Sequence, residues 1–217
     1  MTKAEKEEKA RIKLEKERER LFLMGEYERK YADKKYICGV DEVGRGPFAG
    51  PVMAGAVILP ADCEILYLND SKKLSPKRRE ALYDEIVSKA LAWSVARVEP
   101  ERIDEINILQ ATFEAMREAV SKLDKRPDII LVDAVHIPEL DIPQESIVKG
   151  DAKSLSIAAA SIVAKVTRDR VMEEYAALYP GYGFERNMGY GTAEHRDALR
   201  TRGATPIHRK TFIHDYI

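Results

Sequence analysis

The feature that most constrains this chain is a short apolar run that ends in two adjacent acids. The run Ile37–Val40 has the composition of a buried strand, and Asp41 and Glu42 follow it directly. Carboxylates at the end of a buried strand lose hydration energy unless a positive charge pairs with them, and a hard divalent cation is one such partner. The stretch therefore predicts a buried strand that carries two acids to a candidate cation site.

A loop rich in glycine and proline follows these acids. Residues 44–49 fit the loose dinucleotide-binding pattern G-x-G-x-x-[GA], but Pro47 and Pro51 discourage the helix that this pattern requires. The next segment, 52–59, has the composition of a strand, and no Gly-Lys-Ser/Thr follows, so a nucleotide-binding P-loop is excluded. What remains is a bent loop whose glycines let the backbone approach a ligand closely.

Composition sets a few further bounds. The 217 residues suit one domain with an appendage, and the net charge of -1 neither favours nor excludes nucleic acid. Cys38 and Cys63 lack metal-binding or redox spacing, which indicates a reducing compartment. No apolar run reaches transmembrane length, and the charged N-terminus does not look like a signal peptide. We therefore expect a cytoplasmic protein that does not enter a membrane.

The order of elements predicts an α/β protein. Residues 1–32 carry nearly balanced charges, so we expect a charged helical extension that docks through a thin apolar stripe, rather than a nucleic-acid contact. Residues 33–217 should form the main domain, and residues from Pro206 onward a tail. Periodicity predicts strands near 36–42, 52–60, 92–98, 129–132 and 146–148, and helices near 76–90, 103–123, 154–178 and 192–202. Three strands come early in the chain, and two more follow that are separated by helices. This order implies a mixed sheet flanked by helices.

Two more acids stand at or after strand ends. Asp133 closes the apolar run that begins at Ile129, and Asp151 follows the last predicted strand. No obvious local cation stands beside Asp41 or Asp133, and oxygen-only ligands favour Mg²⁺ or Mn²⁺ over zinc. Neighbours on a strand point to opposite faces, so we expect the strand to end at Asp41, with a bend that lets Glu42 reach the same site.

Several of these motifs together resemble the ribonuclease HII family, bacterial enzymes that cut at RNA–DNA junctions. The resemblance spans about residues 36–212, and the Gly44-Arg45-Gly46 loop argues against the sister family, ribonuclease HIII. It implies a ribonuclease H-like catalytic domain with a five-stranded mixed sheet over residues 33–217. The matching stretches are 41–47, 49–52, 70–74, 132–134, 149–152, 156–169 and 189–192.

The resemblance also implies roles for single residues. The expected catalytic carboxylates, which would hold two Mn²⁺ or Mg²⁺ ions, are Asp41, Glu42, Asp133 and Asp151. The expected substrate-binding residues are Gly44, Arg45, Gly46, Ser71, Lys72, Lys153, Ser154 and Tyr190. The residues alone favour a packed role for Tyr190, which the resemblance reverses, and Tyr182 is a near duplicate of it. We interpret Asp169 as structural and the four histidines as hydrogen-bonding or surface residues.

These observations support one main hypothesis and one alternative. The main hypothesis is a monomeric endoribonuclease that hydrolyses the RNA strand of RNA–DNA hybrids and incises 5′ to single ribonucleotides in duplex DNA. It would leave a 3′-hydroxyl and a 5′-phosphate, and would serve replication and ribonucleotide excision repair. The alternative is a non-catalytic nucleic-acid-binding module with the same fold. The intact set of acids favours the enzyme, because a pure binder would not need them.

Overall fold

A five-stranded sheet forms the centre of the protein. The computed structural model describes residues 2–217. The strands are Ile37–Val43 (β1), Val52–Ile58 (β2), Ala92–Val98 (β3), Ile129–Asp133 (β4) and Gln144–Ile147 (β5). The helices are Lys3–Met24 (α1), Glu26–Lys30 (α2), Pro76–Lys89 (α3), Pro100–Ser121 (α4), Leu155–Leu178 (α5), Phe184–Asn187 (α6), Ala193–Arg202 (α7) and Lys210–Ile213 (α8). Short 3-10 turns cover Ser71–Lys73 and Gly150–Ala152.

The order of the strands places the acids at one edge. The sheet runs β3-β2-β1-β4-β5, with β1 antiparallel to β2 and parallel to β4, and with β4 parallel to β5. The mixed sheet that the element order predicts is therefore confirmed. Because β1, β4 and β5 run in the same direction, their carboxyl ends meet at one edge of the sheet. That edge carries three of the predicted acids, and the fourth lies in the turn that follows β5.

Helices cover both faces of the sheet. Cys38 and Val40 face α4 and belong to a core with Ala111 and Met116. On the other face, α5 lies close to β1 and β2 because Gly39 and Gly55 have no side chain. A Cβ at Gly55 would lie only 2.6 Å from the Ala160 carbonyl oxygen, and one at Gly39 would overlap the backbone of Ser156. The small residues of α5 and these glycines thus fix this helix beside the acids.

The first strand is longer than expected. Strand β1 continues through Glu42 to Val43, because its pairing with β2 continues as far as Val43 and Met53. The expectation that the strand ends at Asp41 was therefore wrong. Pairing with β4 does stop earlier, at Val40 and Val132, so beyond this point the side of β1 that faces β4 is open. The bend comes after Val43.

Helix α4 also departs from its predicted shape. It begins at Pro100 and is interrupted at Asn107, whose φ of 68° and ψ of 163° are not helical. The Asn107 side chain accepts hydrogen bonds from the backbone N–H groups of Leu109 and Gln110, at 3.0 and 3.1 Å. Asn107 thus caps a second helical segment, as asparagine commonly does at a helix start.

The C-terminal residues are not a tail. Helices α6, α7 and α8 share a buried cluster with Phe184, Ile207 and Ile213, and Arg209 is fully buried. The expectation of a tail was wrong because apolar residues separated along the chain pack together here.

Helix α1 packs against the rest of the protein through a few apolar residues. The backbone N–H of Glu5 donates to the Thr2 side chain in a capping box, and α1 contacts the main domain through buried Leu21 and Met24. In residues 2–217, none of the helices combines the length and the apolar character that crossing a membrane would require.

Candidate active site

Three strand ends bring four acids to one edge of the sheet. Asp41 lies on β1, Asp133 closes β4, and Asp151 lies in the 3-10 turn that follows β5. The backbone N–H of Gly150, the residue before Asp151, donates to Asp133 Oδ1 at 2.6 Å. This bond joins the turn that carries Asp151 to the end of β4. We call Asp41, Glu42, Asp133 and Asp151 the acid cluster.

Asp41 is buried with like charges close by. Its exposed fraction is only 5%. It lies two residues beyond Gly39 and so points to the α5 face. Burial raises the pKa of Asp41 well above its usual range, and the negative charges of Glu42 and Asp133 raise it further. Hydrogen bonds from the Ser161 hydroxyl and from the N–H of Glu42 oppose this only in part. Asp41 therefore depends on nearby positive charge to favour its ionised form.

Glu42 joins the cluster from the opposite face of β1. Burial raises the pKa of Glu42, the nearby Arg45 lowers it, and the charge of Asp133 raises it again. The Arg45 guanidinium lies 3.4 Å from Glu42 Oε1. Because β4 ends at Asp133, no strand covers the side of β1 beyond Val40. Both Asp41 and Glu42 therefore adjoin Asp133 although their side chains point to opposite faces.

Asp151 has a neighbour that sequence reasoning missed. Burial raises the pKa of Asp151, which is 8% exposed, and Asp70 and Asp133 raise it further while Lys72 opposes them. Asp70 precedes the 3-10 turn, where its side chain accepts from the N–H of Lys72 at 2.9 Å. Its position before Ser71 and two lysines indicated only a turn. The contact with Asp151 depends on tertiary structure.

Lys72 is the cation that faces the acid cluster. Burial lowers the pKa of Lys72, but the surrounding carboxylates outweigh this effect and raise it above its usual value. The acids responsible are Asp41, Asp70, Asp151 and Glu42. The absence of a local cation, inferred from sequence neighbours, was therefore wrong, because Lys72 arrives from a distant loop and Arg45 from the next turn.

The donor chemistry of the acid cluster fits a divalent cation. Its ligands are all carboxylate oxygens, the set that Mg²⁺ and Mn²⁺ prefer. Burial and mutual repulsion raise the pKa of Asp41, Glu42 and Asp151, so added positive charge would stabilise their ionised forms. The fit thus lies in the type of the donors and not in their present spacing, since within residues 2–217 no three side chains among His, Cys, Asp and Glu already stand close enough together to hold one ion.

The glycine loop and Tyr190 lie side by side. A Cβ placed on Gly46 would be 3.7 Å from Tyr190 Cε1, so the ring stands next to this glycine. Tyr190 is 47% exposed, whereas Tyr182 is 6% exposed and donates its hydroxyl to the Gly203 carbonyl at 2.8 Å. Of the two similar tyrosines, Tyr190 is thus the one that a ligand can reach.

Comparison with known proteins now identifies the family. The family model described as Ribonuclease HII matches residues 38–215. This chain belongs to the ribonuclease HII family. A ribonuclease HII of Lachnoclostridium phytofermentans is 63% identical over 201 residues, which cover 93% of this chain and 79% of that protein. Members of this family are metal-dependent endoribonucleases that degrade the RNA of RNA–DNA hybrids, and this enzyme shares that activity.

Solved structures agree on the fold. The crystal structure of ribonuclease H2 from Pyrococcus horikoshii matches with a TM-score of 0.68 at 30% identity, covering 81% of this chain and 93% of that one. Bst-RNase HIII, solved in complex with Mn²⁺, matches with a TM-score of 0.62 at 17% identity, covering 82% of this chain and 67% of that one. The ribonuclease H-like fold expected from the sequence is confirmed.

Two expected substrate-binding residues of this ribonuclease HII are buried. The hydroxyls of Ser71 and Ser161 share a hydrogen bond of 2.8 Å. Ser154 caps α5 and donates its hydroxyl to Glu28 Oε1 at 2.6 Å. Both serines begin or precede a helical turn, and neither has a free hydroxyl for phosphate in this structure. Lys72 and Lys153, by contrast, are exposed.

Other residues settle the remaining sequence interpretations. Asp169 pairs with Lys165 at 2.6 Å and lies 3.7 Å from Arg79, which supports a structural role. His195 and His208 share a buried hydrogen bond of 2.9 Å between their Nε2 atoms, in agreement with the expected hydrogen-bonding role.

Arg168 and Arg209 were missed. Both are fully buried and donate to carbonyl groups of the loop that follows β1. The sequence placed Arg209 in the expected tail, so its burial was not foreseen. We call these two residues the arginine pair.

Proposed function

We propose that this ribonuclease HII also incises duplex DNA on the 5′ side of a single ribonucleotide and leaves a 3′-hydroxyl and a 5′-phosphate. The observation that carries the proposal is that the exposed Tyr190 ring lies against Gly46. The loop that contains Gly46 is joined to the acid cluster by the Arg45–Glu42 ion pair. The 2′-hydroxyl is the group that distinguishes one ribonucleotide from surrounding DNA. An exposed tyrosine beside exposed backbone is suited to recognise it, since the ring can lie on a sugar while the hydroxyl bonds.

The acid cluster is proposed to hold two divalent ions, Mn²⁺ or Mg²⁺. Asp41 lies between Glu42 and Asp133 in the network of repelling charges, and Asp151 reaches it through Asp133, so these four residues are the proposed ligands. When bound, such ions activate a water and stabilise the leaving oxygen of a phosphodiester. Without them, the buried like charges oppose the approach of a phosphate.

The remaining proposed substrate contacts orient the nucleic acid. The backbone of Gly44, Arg45 and Gly46 borders the place proposed for the ribose. Lys72 and Lys153 are exposed, and both are suited to phosphate groups. Ser71 and Ser154 contribute by holding their turns rather than by direct contact.

We propose that the enzyme acts as a monomer. All four acids and Tyr190 come from one chain, so the proposed site needs no second copy. Light scattering of the protein, alone and with substrate, should give the mass of one chain.

A cleavage assay tests the proposal. The protein is incubated with Mn²⁺ or Mg²⁺ and a duplex that holds one ribonucleotide, and the product ends are mapped. We expect a single cut on the 5′ side of the ribonucleotide and none in an all-DNA duplex of the same sequence. Equal cleavage of both duplexes, or a cut at another position, would refute the proposal.

A pair of tyrosine variants locates the recognition. Tyr190→Phe removes the exposed hydroxyl, and Tyr67→Phe removes a hydroxyl that lies on the side of α1 and α3. We expect the first to slow the single-ribonucleotide cut by about tenfold, the worth of one hydrogen bond, and the second to have no effect. Equal rates for the two variants would remove Tyr190 from the site.

A further inference from the structure

Two buried cations hold the loop that follows the first strand. Arg209 donates to the Gly44 carbonyl at 2.6 Å, to the Arg45 carbonyl at 2.9 Å and to the Gly50 carbonyl at 3.0 and 2.8 Å. Arg168 donates to the Pro51 carbonyl at 3.0 Å. Arg168 also donates to the carbonyls of Ala49 and Met188, at 3.2 and 2.9 Å. All of these acceptors are backbone carbonyl oxygens rather than carboxylates.

This arrangement is costly and specific. Burial lowers the pKa of Arg168 to about 10, and burial together with Arg168 lowers the pKa of Arg209 to about 9. A buried guanidinium is tolerated only where hydrogen bonds replace its water, and a planar fork of donors fixes the direction of each acceptor. The loop carbonyls are therefore held in set orientations.

Fixed carbonyls imply fixed N–H groups. The peptide bonds here are trans and planar, so each N–H points opposite to the carbonyl of the same peptide group. The Gly44 and Arg45 carbonyls point at Arg209, so the N–H groups of Arg45 and Gly46 point away from it. Both residues are exposed, and neither N–H has an acceptor among residues 2–217. The loop thus presents two adjacent, oriented donors.

The same contacts join the loop to the turn that carries Tyr190. The N–H of Phe48 donates to the Gly189 carbonyl at 2.8 Å, and Arg168 contacts both Ala49 of the loop and Met188 of the turn. Gly44 has a φ of 88°, and a Cβ there would overlap Arg168, so the close approach requires glycine. The two free donors and the tyrosine ring are therefore held in one frame.

We propose that Arg168 and Arg209 are positioning residues for ribonucleotide recognition, which aim the N–H groups of Arg45 and Gly46 at an acceptor oxygen of the ribose. This inference rests on the proposed cut at a single ribonucleotide. The arginine pair itself touches no substrate. Its effect passes through the loop backbone and through the turn that carries Tyr190.

A binding comparison tests the inference. Dissociation constants are measured without divalent metal for a duplex with one ribonucleotide and for the all-DNA duplex of the same sequence. Arg209→Lys keeps the charge, but one ammonium cannot replace a fork that binds the carbonyls of Gly44, Arg45 and Gly50. Arg20→Lys is the matched control, because the Arg20 guanidinium also binds a carbonyl, that of Leu68, but on the N-terminal extension.

The readout is the ratio of the two dissociation constants. We expect the wild-type protein and Arg20→Lys to prefer the ribonucleotide duplex, and Arg209→Lys to lose about tenfold of this preference. If the role of Arg209 were purely structural, the variant would bind both duplexes more weakly by the same factor and the ratio would not change. That result would overturn the inference. A wild-type protein that cleaves as proposed but binds both duplexes equally would also overturn it. Failure of the wild-type cut itself would instead refute the proposed function.

A second measurement needs no variant and therefore tests the inference even if the variants do not fold. The N–H signals of Arg45 and Gly46 are followed by ¹⁵N NMR in the wild-type protein, again without divalent metal. Both signals should shift more with the ribonucleotide duplex than with the all-DNA duplex. Equal shifts with the two duplexes would overturn the inference.

Discussion

Two buried polar groups of opposite charge flank the loop that follows β1, and they are stabilised differently. The acid cluster consists of carboxylates whose closest charged neighbours include each other, so burial and repulsion act in the same direction. The arginine pair also lacks an opposite charge in contact, but Arg168 makes three hydrogen bonds to carbonyl oxygens and Arg209 makes four. Lys72 offsets the repulsion within the acid cluster only in part, because the pKa values of Asp41, Glu42 and Asp151 stay raised. The arginine pair is stabilised by hydrogen bonds from the protein itself.

This difference distinguishes the acid cluster, which has a proposed catalytic role, from the arginine pair, which stabilises the fold. Buried like charges that repel one another oppose folding, and in the proposed function the divalent ions that they would hold account for their presence. Buried arginines whose hydrogen bonds all go to backbone carbonyls stabilise the fold and hold the loop backbone that is proposed to face substrate. Neutral substitutions in the two groups should therefore have opposite effects on stability.

The largest expected effect is on catalysis. Asp133→Asn should reduce the rate of hybrid cleavage by about 10²–10³-fold, because one carboxylate of the proposed metal site is lost. The free energy of unfolding should stay the same or rise, because repulsion with Asp41 and Asp151 falls. Rates on an RNA–DNA hybrid and urea unfolding measure the two effects, with exposed Asp197→Asn as the control. An active variant would exclude Asp133 from the catalytic site.

The next effect is on stability. Arg168→Met should lower the free energy of unfolding by about 3 kcal/mol, because it leaves three carbonyl groups without their donor. Arg200→Met, at an exposed position of α7, should change it by less than about 0.5 kcal/mol. Urea unfolding of both variants gives the values. Equal stability of the two variants would show that water replaces the buried guanidinium without cost.

Lowering the pH should destabilise the fold through two buried histidines, one of which binds the turn that carries Tyr190. The His195 Nδ1–H donates to the Tyr190 carbonyl at 3.0 Å, and His195 Nε2 accepts from His208 Nε2–H. His208 Nδ1 in turn accepts from the N–H of Thr205 at 2.9 Å. Only neutral rings fit this chain of bonds. Burial, and then His195, lowers the pKa of His208 to about 4.

The sign of the pH effect follows from this shift. Between the usual pKa of about 6.5 and the folded value of about 4, the unfolded chain binds more protons, so stability falls as pH falls. The loss attributable to His208 should reach about 2 kcal/mol at pH 5. The acids with raised pKa act in the opposite direction, so the difference between wild type and His208→Gln isolates the effect. Urea unfolding at pH 7, 6 and 5 should show a smaller loss in the variant.

The sequence predicted those features that depend on local order. An apolar run followed by an acid predicted that Asp41 and Asp133 stand at the ends of strands, and periodicity predicted a helix near 76–90 where α3 lies. The pattern of three strands and then two predicted the mixed sheet. Each of these inferences needed only neighbours in the chain.

Contacts between distant residues could not be predicted in this way. Arg209 binds a carbonyl 165 residues earlier in the chain, so a basic segment and a buried guanidinium look alike in sequence. Asp70 meets Asp151 only because two loops converge at the sheet edge. Ser154 matched a substrate-binding position, but its hydroxyl is bound by Glu28 from the extension.

The smallest expected effect concerns an acid that is compensated. Glu28 Oε1 accepts from the Ser154 hydroxyl and from the N–H of Ser156 at 2.9 Å, at the N-terminus of α5. Its Oε2 has no hydrogen-bond partner within residues 2–217. Glu28→Gln keeps one accepting oxygen but removes the charge that the helix N-terminus stabilises. The free energy of unfolding should fall by about 0.5–1 kcal/mol.

The control and the sign give this small effect its value. Glu26→Gln, exposed on the same short helix, should leave stability unchanged. Neutralising Glu28 should thus lower stability, whereas neutralising Asp133 should not, although both are acids of the same enzyme. If Glu28→Gln raises stability instead, the helix N-terminus does not compensate this charge.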